Sequence, residues 1–467
     1  MLFMKKTDYL EVLRTGGQLD TGQQLRMTAI LSIPAILAQI SSVMMEYIDA
    51  SMVGRLGAEA SAAIGLVSST TWMFGGLVSA ASAGFTVQVA HRIGAGDEKG
   101  ARGLVKHGLL AVLCVSLVIM LIGSGISGFL PVWLGGREEI RHDGSMYFLI
   151  FALMTPAMAI RYTAGGMLQG SGNMRVPSVL NIACCFMDVV FNSLLIFPAR
   201  AVSILGRSFT LPGAGLRVTG AALGTALSET VCAGLMLWFL LGRSKPLRLR
   251  RGEHSPLNRQ EIITAARISG PVAVENAIMG GAYVGVTKII SPLGNISLAA
   301  HSFAVTAEGL CYIPGYGVSA AATTIIGQSL GAGRKDLTKR LAWMTVIFGM
   351  AIMACSGVLM YVFAPQMIGV LSPDPEIRAL GARILRIEAF AEPMFAASIV
   401  ASGVFRGAGD TLGPSIINFV SMWLVRLPLA AFLCPRVGLT GMWIAMCLEL
   451  WFRGIMFLVR LRRSKAF

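Results

Sequence analysis

Apolar runs of about twenty residues, parted by short polar connections, recur along the chain from residue 27 almost to its end. Each is long enough to cross the hydrocarbon core of a bilayer as a helix, which takes about 20 residues. The pattern predicts twelve spans. They begin near Met27, Ala60, Val105, Met146, Val176 and Gly220 in the first half, and near Ile262, Ser297, Leu341, Arg378, Pro414 and Gly438 in the second. The expected fold class is an all-α polytopic membrane protein. One polar stretch stands apart: residues 242–260, GRSKPLRLRRGEHSPLNRQ, hold two prolines and six basic residues. It reads as a linker between an N-lobe of spans one to six, residues 1–241, and a C-lobe of spans seven to twelve, residues 261–467.

The two lobes repeat one another. A constant offset of 237 residues carries Pro34 onto Pro271, Leu56-Gly57 onto Leu293-Gly294, and Gly94-Ala95-Gly96 onto Gly331-Ala332-Gly333. It also carries Gly166, Gly170, Gly172 and Asn173 onto Gly403, Gly407, Gly409 and Asp410, and Pro177 onto Pro414. The last span of each lobe keeps the pattern with a shorter loop before it, Thr219-Gly220 matching Thr440-Gly441. Six spans per lobe is an even number, so both lobes enter the membrane in the same sense. A parallel repeat about an axis along the membrane normal is an arrangement of secondary transporters, in which two lobes rock around one cavity.

Composition sharpens this picture. The 467 residues are 55% hydrophobic and only 13% charged, where a soluble domain is about 25% charged. A net charge of +15 would suggest nucleic acid in a soluble protein. Here it reads as the positive-inside rule, with no nucleic-acid partner expected. Arg92, Lys99, Arg102 and Lys106 follow span two, Arg334, Lys335, Lys339 and Arg340 follow span eight, and Arg460, Arg462, Arg463 and Lys465 close the chain. These clusters and the linker place both termini on the cytoplasmic side of the membrane. Lys5 and Lys6 precede no apolar segment before Met27, so the N-terminus is expected to be a tail and not a cleaved signal. The eight cysteines show no CxxC spacing and suggest neither a disulfide framework nor a metal site.

The proline-bearing first span ending in YIDASMVGRLG, the GAG loops after spans two and eight, RGAGDT at 406–411 and its counterpart QGSGNM at 169–174 together carry a resemblance. The chain resembles the multidrug and toxic compound extrusion (MATE) transporters over nearly its whole length. The resemblance implies a proton- or sodium-coupled antiporter, working as a monomer without a bound cofactor, that expels cationic, amphipathic compounds.

Charges inside the spans are the candidate chemistry, since a carboxylate in hydrocarbon is expensive and marks function by default. Span one carries Gln39, Glu46 and Asp49, the last two on one helix face. Position along each span gives depth. Asp49 on span one, Asp188 and Asn192 four apart on span five, and Thr225 on span six converge on the outer half of the bilayer, with Thr219 the alternative to Thr225. The resemblance implies a cation site of this composition, and these four residues match it one by one. Hard oxygen ligands suit Na⁺, and a carboxylate pair suits a shared proton. The bland alternative is a hydrogen-bond network that only joins helices. Arg161 is expected to pair with Asp188.

The offset places Val286 opposite Asp49 and Val425 opposite Asp188, so the C-lobe does not duplicate this site. It carries Glu275, Glu308, Glu388 and Glu392 near mid-membrane instead. With Gln39 and Glu46, these are candidate substrate-binding residues, the acids serving as counter-charge for a cationic substrate. Glu388 and Glu392 are expected on one helix face, with Arg426 neutralising one of them, and Glu449 and Arg453 as an internal i,i+4 pair. Methionines such as Met44, Met45, Met73, Met154, Met158 and Met167 either line a promiscuous cavity or pack as core. Two other functions compete. A lipid-linked saccharide flippase would prefer cationic residues where acids predominate here. A membrane enzyme acting on lipid would need a nucleophile with a base or a metal cluster. His91, His107, His142, His254 and His301 lie mostly in loops or near span ends, with no HExxH or GxSxG.

Overall fold

The computed structural model describes residues 9–204, 207–250, 253 and 258–464. Linker residues 251–252 and 254–257 therefore lie outside the described residues. A short helix, α1 (Tyr9–Arg14), precedes the first long one, α2 (Thr21–Gly54). The chain continues through α3 (Ala58–Gly94), α4 (Glu98–Ile126), α5 (Leu130–Trp133), α6 (Glu138–Gly170) and α7 (Arg175–Leu195). An antiparallel hairpin of β1 (Pro198–Ile204) and β2 (Arg207–Ala214) leads into α8 (Arg217–Trp238). After the linker come α9 (Arg259–Ile290), α10 (Asn295–Gly331), α11 (Lys335–Leu371), α12 (Pro375–Glu388) and α13 (Glu392–Gly407). The last elements are α14 (Leu412–Val420), α15 (Leu427–Val437), joined to it by a wider π-helical turn, and α16 (Leu439–Arg463).

The all-α membrane fold class expected is the one found. Among the described residues ten helices are long and apolar enough to cross a membrane. The other two expected spans are α9, which carries Arg267, Glu275 and Lys288, and the α12–α13 pair. The tenth span is not one helix as expected: a turn at Ala389–Ala391 separates α12 from α13. Pro393 is the cause. It lacks the N–H that a continuous helix would donate to the Ala389 carbonyl, and its ring crowds that carbonyl.

The repeat is written into the backbone. Gly57 and Gly294, Gly96 and Gly333, and Gly172 and Gly409, each pair one offset apart, adopt φ of 113 and 90°, 75 and 73°, and 94 and 82°. Side chains rarely tolerate this left-handed region; Gly96 and Gly333, and Gly172 and Gly409, end a helix the same way in both halves, while Gly57 and Gly294 each stand directly before the next long helix. The GAG loops are thus tight helix connections. Packing repeats too: a Cβ on Gly166 would strike Thr86, and one on Gly403 would strike Ser319. A third contact is reciprocal. Gly94 lies against the backbone of Gln328, and Gly331 against the backbone of His91, while His91 and Gln328 are themselves one offset apart. Mutual contact of this kind is what a twofold relation produces.

By compactness the described chain forms two units, one of residues 40–86 and 98–266, the other of residues up to Gln39, 87–97 and from Arg267 on. They do not coincide with the sequence halves, because α2, α3 and α9 each run through both. The first unit holds an aromatic knot in which Phe74 and Phe148 meet edge to face with centroids 5.5 Å apart. The second centres on the buried Trp443, Met442, Met360 and Ile384.

The linker is anchored within the first unit. Arg102, 6% exposed, donates from Nε and Nη2 to both carboxylate oxygens of Glu253, at 2.7 and 2.8 Å. This fork holds the Glu253 carboxyl below the ordinary value of 4.5. A group lowered on folding contributes stability above its ordinary value and loses it as pH falls through the lowered one. The described linker residues 244–250 and 253 are therefore expected to stay protected from hydrogen exchange down to about pH 4.5 and to loosen in more acidic buffer. In Glu253→Gln protein they should be loose at pH 7 as well, and equal protection in both proteins would refute the anchor.

Candidate functional site

Four of the polar groups that α2, α7 and α8 bring into the first unit form one connected network. Asp188 and Asn192 stand one turn apart on α7, both fully buried. The Asn192 amide donates to Asp49 Oδ1 on α2 at 2.8 Å and to Asp188 Oδ2 at 2.9 Å. Ser228 on α8 donates to Asp188 Oδ1 at 3.1 Å. The approach of α7 to α8 needs Gly224, where any Cβ would collide with Asn192 Oδ1. Asp49 is half-buried while the other three are sealed, so the network has one open end.

This arrangement has an excess of acceptors. Asp49 and Asp188 accept from the same Asn192 amide nitrogen, and two carboxylates held that near each other repel unless a proton or cation sits between them. Both amide hydrogens of Asn192 are spent on the carboxylates, and its buried Oδ1 has no hydrogen-bond partner. The Ser228 hydroxyl has one hydrogen and two acceptors, Asp188 Oδ1 and, at 2.9 Å, the Thr225 carbonyl. It can turn from one to the other when Asp188 takes up a proton. Carboxylates and an amide oxygen are the hard donors that H⁺ or Na⁺ would use.

The structure corrects the sequence reading at several positions. Arg161 does not neutralise Asp188. Its Nε donates to Glu229 Oε2 at 2.5 Å and its Nη1 to Asn181 at 3.1 Å, because Glu229 is a second buried acid one turn along α8. Among the described residues no basic side chain pairs with Asp49 or Asp188. Thr225 joins the network through its backbone carbonyl, and the hydroxyl at the site is that of Ser228. Ser228 was legible as a polar residue one turn from Thr225, and Glu229 as an acid inside an apolar run. Met154, Met158 and Met167 are buried in the packing of α6.

Gln39 and Glu46 are exposed on α2, with Glu46 one turn before Asp49. In the second unit, Glu275 on α9 accepts hydrogen bonds from Ser415 Oγ and Asn418 Nδ2 on α14, both at 2.6 Å. Glu308, Glu388 and Glu392 are buried. Glu388 and Glu392 do not share a helix face: one ends α12 and the other begins α13. All four of their carboxylate oxygens lack hydrogen-bond partners. Arg426 neutralises neither, for its Nε and Nη2 donate to Glu449 Oε2 at 2.9 and 2.5 Å. The expected Glu449–Arg453 pair is present at 3.1 Å.

Comparison with known proteins places the chain. The family model MatE matches it twice, over residues 34–194 and 271–432, one copy in each half. The second match starts 237 residues after the first, the offset of the repeat. "Probable multidrug resistance protein NorM" of Thermotoga maritima is 26% identical over 428 residues, covering 91% of this chain and 89% of that one. "Multidrug resistance protein MdtK" of Yersinia pestis is 25% identical over 457 residues, covering 94% and 95%. A crystal structure of MATE in complex with MaD3S superposes with a TM-score of 0.88 at 20% identity, covering 98% of both chains. An outward-facing MATE family transporter of the MOP superfamily gives 0.87 at 20% identity, again over 98% of both.

Proposed function

The chain belongs to the MatE family, and from that premise we propose that this multidrug efflux transporter of the inner membrane is an antiporter driven by inward H⁺ or Na⁺ flux. It is a transporter and not an enzyme. The substrate class is cationic, amphipathic small molecules, the chain acts as a monomer, and the basic loops and linker put both termini in the cytoplasm. One observation carries the coupling: two carboxylates on α2 and α7 bridged by a single amide, with no basic residue paired to them among the described residues. Binding of a proton or Na⁺ there removes a charge that is costly inside a membrane. The relief lets α2, α7 and α8 settle closer, and the cation and the drug thereby influence each other's binding.

Purified protein in liposomes, given a proton gradient or a sodium gradient separately, tests this. Uptake of a lipophilic cationic dye against its gradient should follow one of the two ions. Dye movement indifferent to both gradients would refute antiport.

The second unit's acids are assigned to substrate recognition. Glu275 accepts from two neutral donors on α14, and Glu392 has no hydrogen-bond partner, so neither carboxyl is committed to a basic residue among the described residues. Glu275→Gln and Glu392→Gln are each expected to shift the relative export of cationic dyes by about 5- to 150-fold, the equivalent of about 1–3 kcal/mol. An unchanged dye profile in both would return these residues to a structural role.

A further inference from the structure

Where α2 begins and α11 emerges, the second unit has a groove of about 810 Å³ that the coupling site does not use. Its floor and rim include Asp20, Gln23, Lys339, Arg340, Trp343 and Ile347. The apolar run of α11 begins at Leu341 and that of α2 near Met27. The groove therefore lies at the level where span ends meet the headgroups. Lys339, Trp343 and Ile347 are four residues apart and share one face of α11. Down that face the chemistry passes from an exposed ammonium to an indole to an exposed aliphatic side chain, Ile347 being 57% exposed. That order follows a glycerophospholipid from phosphate through glycerol to acyl chain, with the indole at the depth aromatic belts occupy.

Charge favours an anionic headgroup. Neither Lys339 nor Arg340 pairs with a carboxylate among the described residues. The one acid in the groove, Asp20, is committed as the cap of α2: its Oδ1 accepts from the Gln23 N–H at 2.7 Å while its own N–H donates to Gln23 Oε1 at 3.1 Å. The free N–H groups of the first turn of α2 add to the positive potential there.

We infer that this groove is a binding site for one anionic phospholipid, its phosphate between Lys339 and Arg340 and its acyl chain along Trp343 and Ile347. Two basic residues at a membrane surface account for roughly a thirtyfold preference for anionic lipid. The test uses the full chain extracted from vesicles of phosphatidylcholine containing a minor fraction of phosphatidylglycerol, with retained lipid counted by native mass spectrometry. Native protein should hold one phosphatidylglycerol about thirtyfold more strongly than phosphatidylcholine, and millimolar inorganic phosphate should not displace it. Lys339→Gln/Arg340→Gln protein should lose the preference while melting as the native protein does, since both side chains are exposed. Trp343→Ala should weaken retention of both lipids. Equal retention by the double variant, equal retention of the two lipids, or displacement by free phosphate would each overturn the inference.

Discussion

Asp49→Asn protein is expected to fold and insert like the native chain yet to export drug about 5- to 150-fold more slowly under the same gradient, the span of ordinary coupling free energies. The amide keeps the shape of the carboxylate and can still meet Asn192 Nδ2 through its carbonyl, so packing survives. What it cannot do is gain or lose a proton or present negative charge to Na⁺. Asp188→Asn should give the same defect. Ser228→Ala, which removes one donor to Asp188, should give a milder one. The measurement is gradient-driven dye transport in liposomes at matched protein content, beside equilibrium dye binding to the same proteins. Binding should survive in Asp49→Asn while transport fails. Transport at the native rate would remove Asp49 from the coupling step, and failure to insert would make the network a structural one.

Arg426→Met is expected to destabilise the protein by about 3–5 kcal/mol, the cost of removing one partner from a buried ion pair. Arg426 is 6% exposed and Glu449 is fully buried between it and Arg453, whose guanidinium also lies over the Phe395 ring with 5.3 Å to its centroid. Without Arg426, Glu449 Oε2 loses two guanidinium hydrogen bonds and the carboxylate keeps only Arg453, at 3.1 Å, as a basic partner. Pairing the substitution with Glu449→Gln should recover none of the loss, because it leaves the buried Arg453 guanidinium without its carboxylate. Thermal unfolding of the detergent-solubilised proteins, followed by tryptophan fluorescence, reads the difference. A native transition in Arg426→Met protein would show that the triad contributes little.

How much of this was legible beforehand depended on whether the signal was periodic or pairwise. Twelve apolar runs and a constant offset are statements about one dimension, and they carry directly into helices and into paired glycines with matching φ. The Asp49, Asp188 and Asn192 constellation was legible because depth along a span is also nearly one-dimensional. Which face an acid turns to, and whom it meets, is set by packing that no single span records. Nothing along spans four and eleven tells that Arg161 meets Glu229 instead of Asp188, or that Arg426 meets Glu449 instead of Glu388 or Glu392. The break in the tenth span was legible in Pro393, whose place just after Glu392 marks a first turn and not a helix interior. The hairpin after α7 was obscured for another reason: it is short, and its few alternating residues sit between two long helical patterns.

The reciprocal approach of Gly94 to Gln328 and of Gly331 to His91 has a meaning for how such a chain can change over time. In a true dimer of identical subunits, every substitution is made twice, so a residue that damages one copy of a contact damages both. Here the two copies sit in one polypeptide and can diverge separately. At the reciprocal positions one copy carries histidine, whose Nε2 donates to the Gly407 carbonyl at 2.7 Å, and the other glutamine, which accepts from Arg14. The glycines, which have no room to vary, are kept in both. The same freedom left valines at 286 and 425 where the first half holds aspartates 49 and 188. A duplicated fold can thus keep its reciprocal glycine contact while confining an expensive intramembrane pair of carboxylates to one half.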